Sequence, residues 1–260
     1  MWGRTPISYR RDPRSGKEIS KAQETPRNRC DDQGEFRLGV SKKNASLVIK
    51  VFAPSLAPAQ IGPIESGPTV HEVKLRAGAT VLGSVVKDGK PVPGITLMLR
   101  TARQHQRFEQ EYDFTIATDA QGNFLFPNVP PERDYFLLGM LRDCHVHGAI
   151  PAQPVRVKEN RTIENLGAVV MRPGYRVSGV VVLSGGKPAP AGTRVYLATH
   201  HEEVGLMDGL MTPVGADGSF TASGLPAGRY NLSVSMKGYR LSPDNRSYDS
   251  VLEQYNQLTG

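Results

Sequence analysis

Tyr230, Leu232, Val234 and Met236 alternate with Asn231, Ser233 and Ser235. A period of two puts the apolar set on one face of a β-strand and the polar set on the other. Phe124 and Phe126, then Val129, begin a second run of the same kind. "VLGSVVKDGKPVPGITLMLR" (Val81–Arg100) reads as two β-rich runs around a turn. Pro91 and Pro93 in that turn fix φ and remove donors, which suits a loop or a sheet edge. Helical periodicity is weak and confined to "RQHQRFEQEY" (Arg103–Tyr112) and "SYDSVLEQYNQL" (Ser247–Leu258). Short strands with turn signals every 8–12 residues predict an all-β chain of small sandwiches.

The pattern is written more than once. "LRAGATVLGSVV" (Leu75–Val86) and "MRPGYRVSGVVV" (Met171–Val182) lie 96 residues apart and share one layout. "DGKPVPG" (Asp88–Gly94) answers "GGKPAPAG" (Gly185–Gly192), and "ITLMLRT" (Ile95–Thr101) answers "TRVYLAT" (Thr193–Thr199). "TDAQGNFLFPNVPPERDYFL" (Thr118–Leu137) answers "VGADGSFTASGLPAGRYNL" (Val214–Leu232). In the first of these Asp119 can bond its own downstream amides and Gly122 supplies a positive φ, a hairpin signal. Phe124 follows two residues later, as Phe220 follows Gly218, and an aromatic on that face reads as core. A weaker copy comes first. "DDQGEFRL" (Asp31–Leu38) matches the hairpin, and "VHEVKLRAG" (Val70–Gly78) matches "ENLGAVVMRPG" (Glu164–Gly174) as a closing strand. Recurrence in the same order marks tandem units. The boundaries expected are 1–78 for a degenerate or truncated repeat with a basic N-terminal arm, 79–174 for a complete one, and 175–260 for one incomplete at its C-terminus.

The set G-x-V-V…G-K-P-x-P…T-D-x-x-G-x-F…L-P-x-G-x-Y resembles the carboxypeptidase regulatory-like domain, a transthyretin-like sandwich near pilin-type Cna-B repeats and carbohydrate-binding-like folds. Its carriers in the first full copy are Gly83, Gly89, Lys90, Pro91, Asp119, Gly122, Phe124 and Pro130. In the second they are Gly179, Gly186, Lys187, Pro188, Gly218, Phe220, Pro226, Gly228 and Tyr230. The resemblance covers roughly residues 77–260. It implies antiparallel sandwiches of Greek-key type, no catalysis, and an extracytoplasmic place as an accessory of secreted or envelope bacterial proteins. These are turn and core positions, so they speak to fold and leave chemistry open. "PERD" (Pro131–Asp134) departs from the family pattern, and "YNQLTG" matches the closing strand poorly. A fragment cut short at both ends is the expectation.

Composition agrees with this reading. Among 260 residues there are 27 Gly and 20 Pro, and apolar residues reach only 38%, which favours turns between short strands. No run of 18 uninterrupted apolar residues exists, so no helical membrane span is expected. "MWGRTPISYRR" has no apolar core of a signal peptide. Net charge is +7, and residues 1–29 carry most of it through eight Lys/Arg against three acids. With few aromatics there, the arm offers no stacking platform, and no nucleic-acid partner is expected.

Candidate chemistry is sparse. Cys30 and Cys144 fall in different units and read as two unbridged thiols. His200-His201-Glu202-Glu203 has an H-x-x-E spacing but lacks the third ligand of a catalytic zinc and is expected in an exposed loop. In "CHVHG" (Cys144–Gly148), a strand would put His145 and His147 on one face, the one weak metal candidate. Nucleophile elbows, Walker A loops, dinucleotide fingerprints and CxxC pairs are absent from the sequence. An internal Lys–Asn isopeptide, known in the pilin-type relatives, lacks an identifiable Lys, Asn and acid trio. No enzyme and no cofactor are therefore expected. The leading expectation is a structural or interaction module with a protein partner. The alternatives are a carbohydrate-binding accessory, using the tyrosine and histidine of the loop Gln104–Phe114, or an accessory region of a zinc carboxypeptidase.

Overall fold

The computed structural model describes residues 10–11, 18–20, 29–39, 46–102, 113–183, 186–187 and 189–236. The two helical options at 103–112 and 247–258, most of the basic arm and Pro188 lie outside them. Residues 46–64 and 69–236 make one compact unit. It opens with the hairpin β3 (Ser46–Val51) and β4 (Ala59–Glu65). Outside it, β1 (Arg10–Arg11) and β2 (Glu18–Ser20) pair antiparallel. Val70–Gly78 forms no strand, against expectation. Its counterpart in the next copy gains a strand by lying along a sheet, and no such neighbour flanks Val70–Gly78 among the described residues.

The middle sandwich runs from β5 to β12. One sheet holds β5 (Ala79–Lys87), β6 (Lys90–Pro91), β9 (Asn123–Val129) and β12 (Ile163–Val170). The other has the order β11 (Gln153–Val157), β10 (Arg133–Gly139), β7 (Thr96–Thr101), β8 (Asp113–Ala117). The pairings are antiparallel, as expected of the sandwich, except β12 with β5, which is parallel. Strand β7 shows why these segments fold so: Leu97 and Leu99 point inward and are fully buried, while Thr96, Met98 and Arg100 are half-exposed. Val81, Val85, Phe126, Tyr135 and Leu137 meet them from the other strands.

The last sandwich repeats five of these strands. β13 (Tyr175–Val180) pairs with β16 (Ser219–Leu225), and β14 (Arg194–His201) lies between β15 (Gly205–Pro213) and β17 (Arg229–Ser235). The copies agree in register: Tyr135 pairs with Thr101 and Leu137 with Leu99, as Tyr230 pairs with Thr199 and Leu232 with Leu197. Tyr230, Val234 and Met236 pack on the core as the alternation expected along β17 requires, but Ser233, expected on the polar face, is buried. Leu232 also breaks the alternation, at 49% exposed. Its counterpart Leu137 lies on a strand flanked by β11 and is buried in the core, whereas β17 is an edge among the described strands.

Candidate functional site

The fold-signature residues sit at turns and tight crossings. Asp119 Oδ1 accepts the amides of Gln121 (2.9 Å) and Asn123 (2.7 Å), and Gly122 has φ +75°. The same turn recurs at Asp31, whose Oδ1 accepts from Gln33 (2.9 Å) and Glu35 (2.8 Å). In the last copy Gly215 takes the turn's first place and Asp217 accepts from Ser219, with Gly218 at φ +82°. Gly83 and Gly179 admit the rings of Phe124 and Phe220: a Cβ there would lie 2.8 Å and 2.7 Å from them. Phe124 is buried, and Phe220 is half-buried. Gly89 and Gly186 are exposed turn residues with positive φ, and Pro91 is exposed in β6. Pro226 receives the hydroxyl of Tyr230, and Gly228 is exposed between them. Tyr135 makes the matching bond to the Pro130 carbonyl (2.7 Å). A buried phenol needs such a partner, and this one ties strand to preceding loop in both copies.

His145, His147, His200 and His201 belong to no metal set among the described residues. Residues Leu141–Cys144 form one helical turn, α1, and His145–His147 continue in turn conformation. The expected strand is thus replaced, and the two rings lose their common face. The cause lies in Leu141 and Cys144, which are buried at a spacing of three, a helical spacing, while Val146 is 69% exposed. His145 Nδ1 lies 3.0 Å from the Leu141 carbonyl, and His147 is exposed. His200 and His201 are the last residues of β14, where a loop was expected. His201 Nδ1 accepts from the Glu203 amide (3.2 Å), and its ring lies 4.6 Å from that of Phe136. Among the described residues no three His, Cys, Asp or Glu side chains gather as a metal set. Neither a lysine nor an asparagine is buried among them.

The structure instead brings together residues at the junction of the two sandwiches. Turn α1 leaves β10 and is anchored by Met140 N–H donating to Thr96 O (2.9 Å) and Thr96 N–H donating to Asp143 Oδ2 (3.3 Å). Cys144 then packs in the middle core, while Leu141, 2% exposed, belongs to the core of the last sandwich. The His145 carbonyl presses on Gly224, where an added Cβ would sit 2.0 Å away. Beyond the turn, Ala149 and Arg172 exchange two backbone bonds (2.8 and 2.9 Å), which fixes the segment leading into β13. A cleft beside α1 is walled by Met98, Leu138, Ile150, Asp208 and Tyr230. Asp208 Oδ2 is buried there without a hydrogen-bond partner.

Burial governs two titratable groups at this junction. Burial, then the charges of Asp143 and Asp208, push the Cys144 thiol up to about 12. Burial pushes the Tyr230 phenol to about 12 as well. Both groups stay neutral at physiological pH, so neither is an activated nucleophile or base. Sequence reasoning read "CHVHG" for its histidines and Cys144 as an unbridged thiol, and missed Leu141 and its spacing from Cys144. The i, i+3 apolar pair was the available signal, too short to stand out.

No family model matches the chain, and no curated protein matches it. Among solved structures it is similar to a streptococcal ancillary pilin, with 14% identity over 75% of this chain and 69% of that one, at a TM-score of 0.29. The shaft pilin SpaA of Lactobacillus rhamnosus GG is matched at 8% identity over 63% and 90%, TM-score 0.28. A DUF3823 family protein of Bacteroides ovatus is matched at 15% identity over 61% and 91%, TM-score 0.25.

Proposed function

We propose that this chain is a non-catalytic structural and interaction module of an extracytoplasmic bacterial protein, built of carboxypeptidase regulatory-like repeats with boundaries near residues 78 and 174. One observation carries the reading: the single turn α1 places Leu141 in one core and Cys144 in the other. Sandwiches joined only by a linker would each close their own core and move independently. Here an element of one completes the other, which serves a part that must hold its neighbours at fixed spacing. The chemistry favours the same reading, since the buried polar groups of the unit are mostly Thr and Ser, and the shifted thiol and phenol titrate far above neutrality.

The test is labelling of intact cells that express the native gene with a membrane-impermeant amine reagent, followed by capture and peptide mapping. Labelled peptides from Lys87, Lys90 and Lys158, recovered as strongly from whole cells as from lysate, are the expected result. Recovery from lysate alone would overturn the placement and return the chain to the cell interior.

A further inference from the structure

The middle sandwich carries a strand that has no counterpart in the last one among the described residues. β12 runs parallel to β5 from Ile163↔Thr80 to Val170↔Val86, and adds Val169, Met171 and the partly buried Leu166 to the core. Thr80 N–H donates to Thr162 O (2.9 Å), and Met171 N–H to Val86 O (2.8 Å). Even-numbered residues of β5 therefore turn their backbone groups to this edge. The repeat puts Arg176, Ser178 and Val180 of β13, and Val182 just beyond it, in their places. The odd-numbered side is already used, because Val181 N–H donates to Gly218 O (2.8 Å) as Val85 N–H donates to Gly122 O (2.8 Å).

Among the described strands, β13 pairs with β16 alone. Burial registers the difference. Tyr175 is 65% exposed where Ala79 is fully buried, and Val180 and Val182 are 62% and 65% exposed. Val177 and Phe220 are half-buried where Val81 and Phe124 are buried. Proteins usually blunt an open edge with charge, proline or a bulge. Here the row facing out is Ser178, Val180 and Val182, with proline only at Pro173, before the strand. Charge is one-sided: Arg172, Arg176 and Lys187 are exposed around it, and Met171–Leu183 contains no acid. β12, which fills the matching edge of β5, has Glu159 before it and Glu164 in its first half, with Arg161 between them.

We propose that this edge of β13 docks an extended strand of a partner polypeptide. The strand runs parallel to β13, with carboxylates in its N-terminal half and aliphatic side chains at the positions facing Val177 and Phe220. This is β-strand addition, in which main-chain bonds supply affinity and alternate side chains supply specificity. The proposal rests on the interaction-module reading above and gives it a surface.

The probe is an acidic form of the β12 sequence, a fluorescent peptide of residues 159–171 carrying Arg161→Gln, titrated into the full chain and followed by anisotropy, with amide hydrogen exchange read in parallel. In the free protein the amides of Ser178 and Val180 exchange fast, and the peptide slows them with saturable binding. Val180→Pro removes a donor at the edge, where proline is tolerated, and weakens binding at least about tenfold. It leaves β5 untouched, so displacement of the chain's own β12 is not mistaken for docking. A peptide carrying Glu164→Lys binds more weakly than the original. Slow exchange of Ser178 and Val180 in the free monomer would overturn the proposal, because the chain's own residues then fill the edge. Slow exchange only at high protein concentration would overturn it in favour of a second copy. Fast exchange without peptide binding, or binding indifferent to Val180→Pro, would overturn it too. If Val180→Pro does not fold, the exchange data on the wild type decide. None of these outcomes touches the cell-surface test, so the module reading stands or falls apart from this one.

Discussion

Two residues, Tyr135 and Tyr230, report the local rules most directly. Each phenol donates to a proline carbonyl a few residues upstream. Tyr135 is fully buried and Tyr230 half-buried. Removing a hydroxyl strands a buried carbonyl in the first case and lets water in at the second. Tyr135→Phe should lower unfolding free energy by about 1–2 kcal/mol and Tyr230→Phe by less than about 1 kcal/mol, measured by urea denaturation. Cys144 yields a second prediction. Its folded pKa of about 12 stands above an ordinary thiol value of 9.0. The folded form thus holds the proton more tightly than the unfolded one. That stability is fully present below about pH 9 and is lost as pH rises through about 12. Tyr230 adds to the same loss from its ordinary 10.0 upward. Melting temperature should fall between pH 9 and 12, and less steeply in Cys144→Ala. At pH 8 iodoacetamide should label exposed Cys30 and leave Cys144 unmodified until denaturant is added. Two labels on the native protein would refute the buried thiol.

At the scale of the element, the hairpin turn is the unit the sequence displays best. Asp119 bonds two amides and Gly122 occupies a left-handed position with Val85 O 2.8 Å from any added Cβ. Asp119→Ala should cost about 1–2 kcal/mol. Gly122→Ala should cost above about 2 kcal/mol, since strain and a backbone clash add. Chemical denaturation of both variants checks the order, and a smaller loss for Gly122→Ala would show that the turn relaxes. The turn was legible because its demands are local: one acceptor, one positive φ, one aromatic two residues on. The alternating strands were legible for the same reason. What the sequence hid is set by distant neighbours. Leu232 looks as apolar as Leu137, but β10 has β11 beside it and β17 has no such neighbour among the described strands. β12 reads as a strand, yet its parallel direction depends on the chain crossing from one sheet to the other. At the candidate site, "CHVHG" alternates as a strand would, and the burial of Leu141 and Cys144 in two different cores makes it the end of a helical turn followed by a tight turn.

At the scale of the whole compact unit, the two sandwiches are unequal. The middle core gathers eighteen buried residues, and the last one eight, of which Leu141 is lent by α1. Losing that side chain therefore removes a larger share of the smaller core. Leu141→Ala should cost about 2–5 kcal/mol, and the loss should fall on the last sandwich, because Cys144 still anchors the turn in the middle one. Gly224→Ala reaches the same joint from the other side. Its Cβ would lie 2.0 Å from the His145 carbonyl, backbone against backbone, so the two surfaces must part. Calorimetry on the wild type should show the coupled sandwiches melting in one transition. In either variant a lower transition should split off, and hydrogen exchange should place it in β13–β17 while β5–β12 keep their protection. A uniform fall in one transition would instead mean that the cores share more than this contact. A wild type already melting in two steps would mean that α1 positions the sandwiches without coupling their stability, and would remove the main physical support for a rigid spacer.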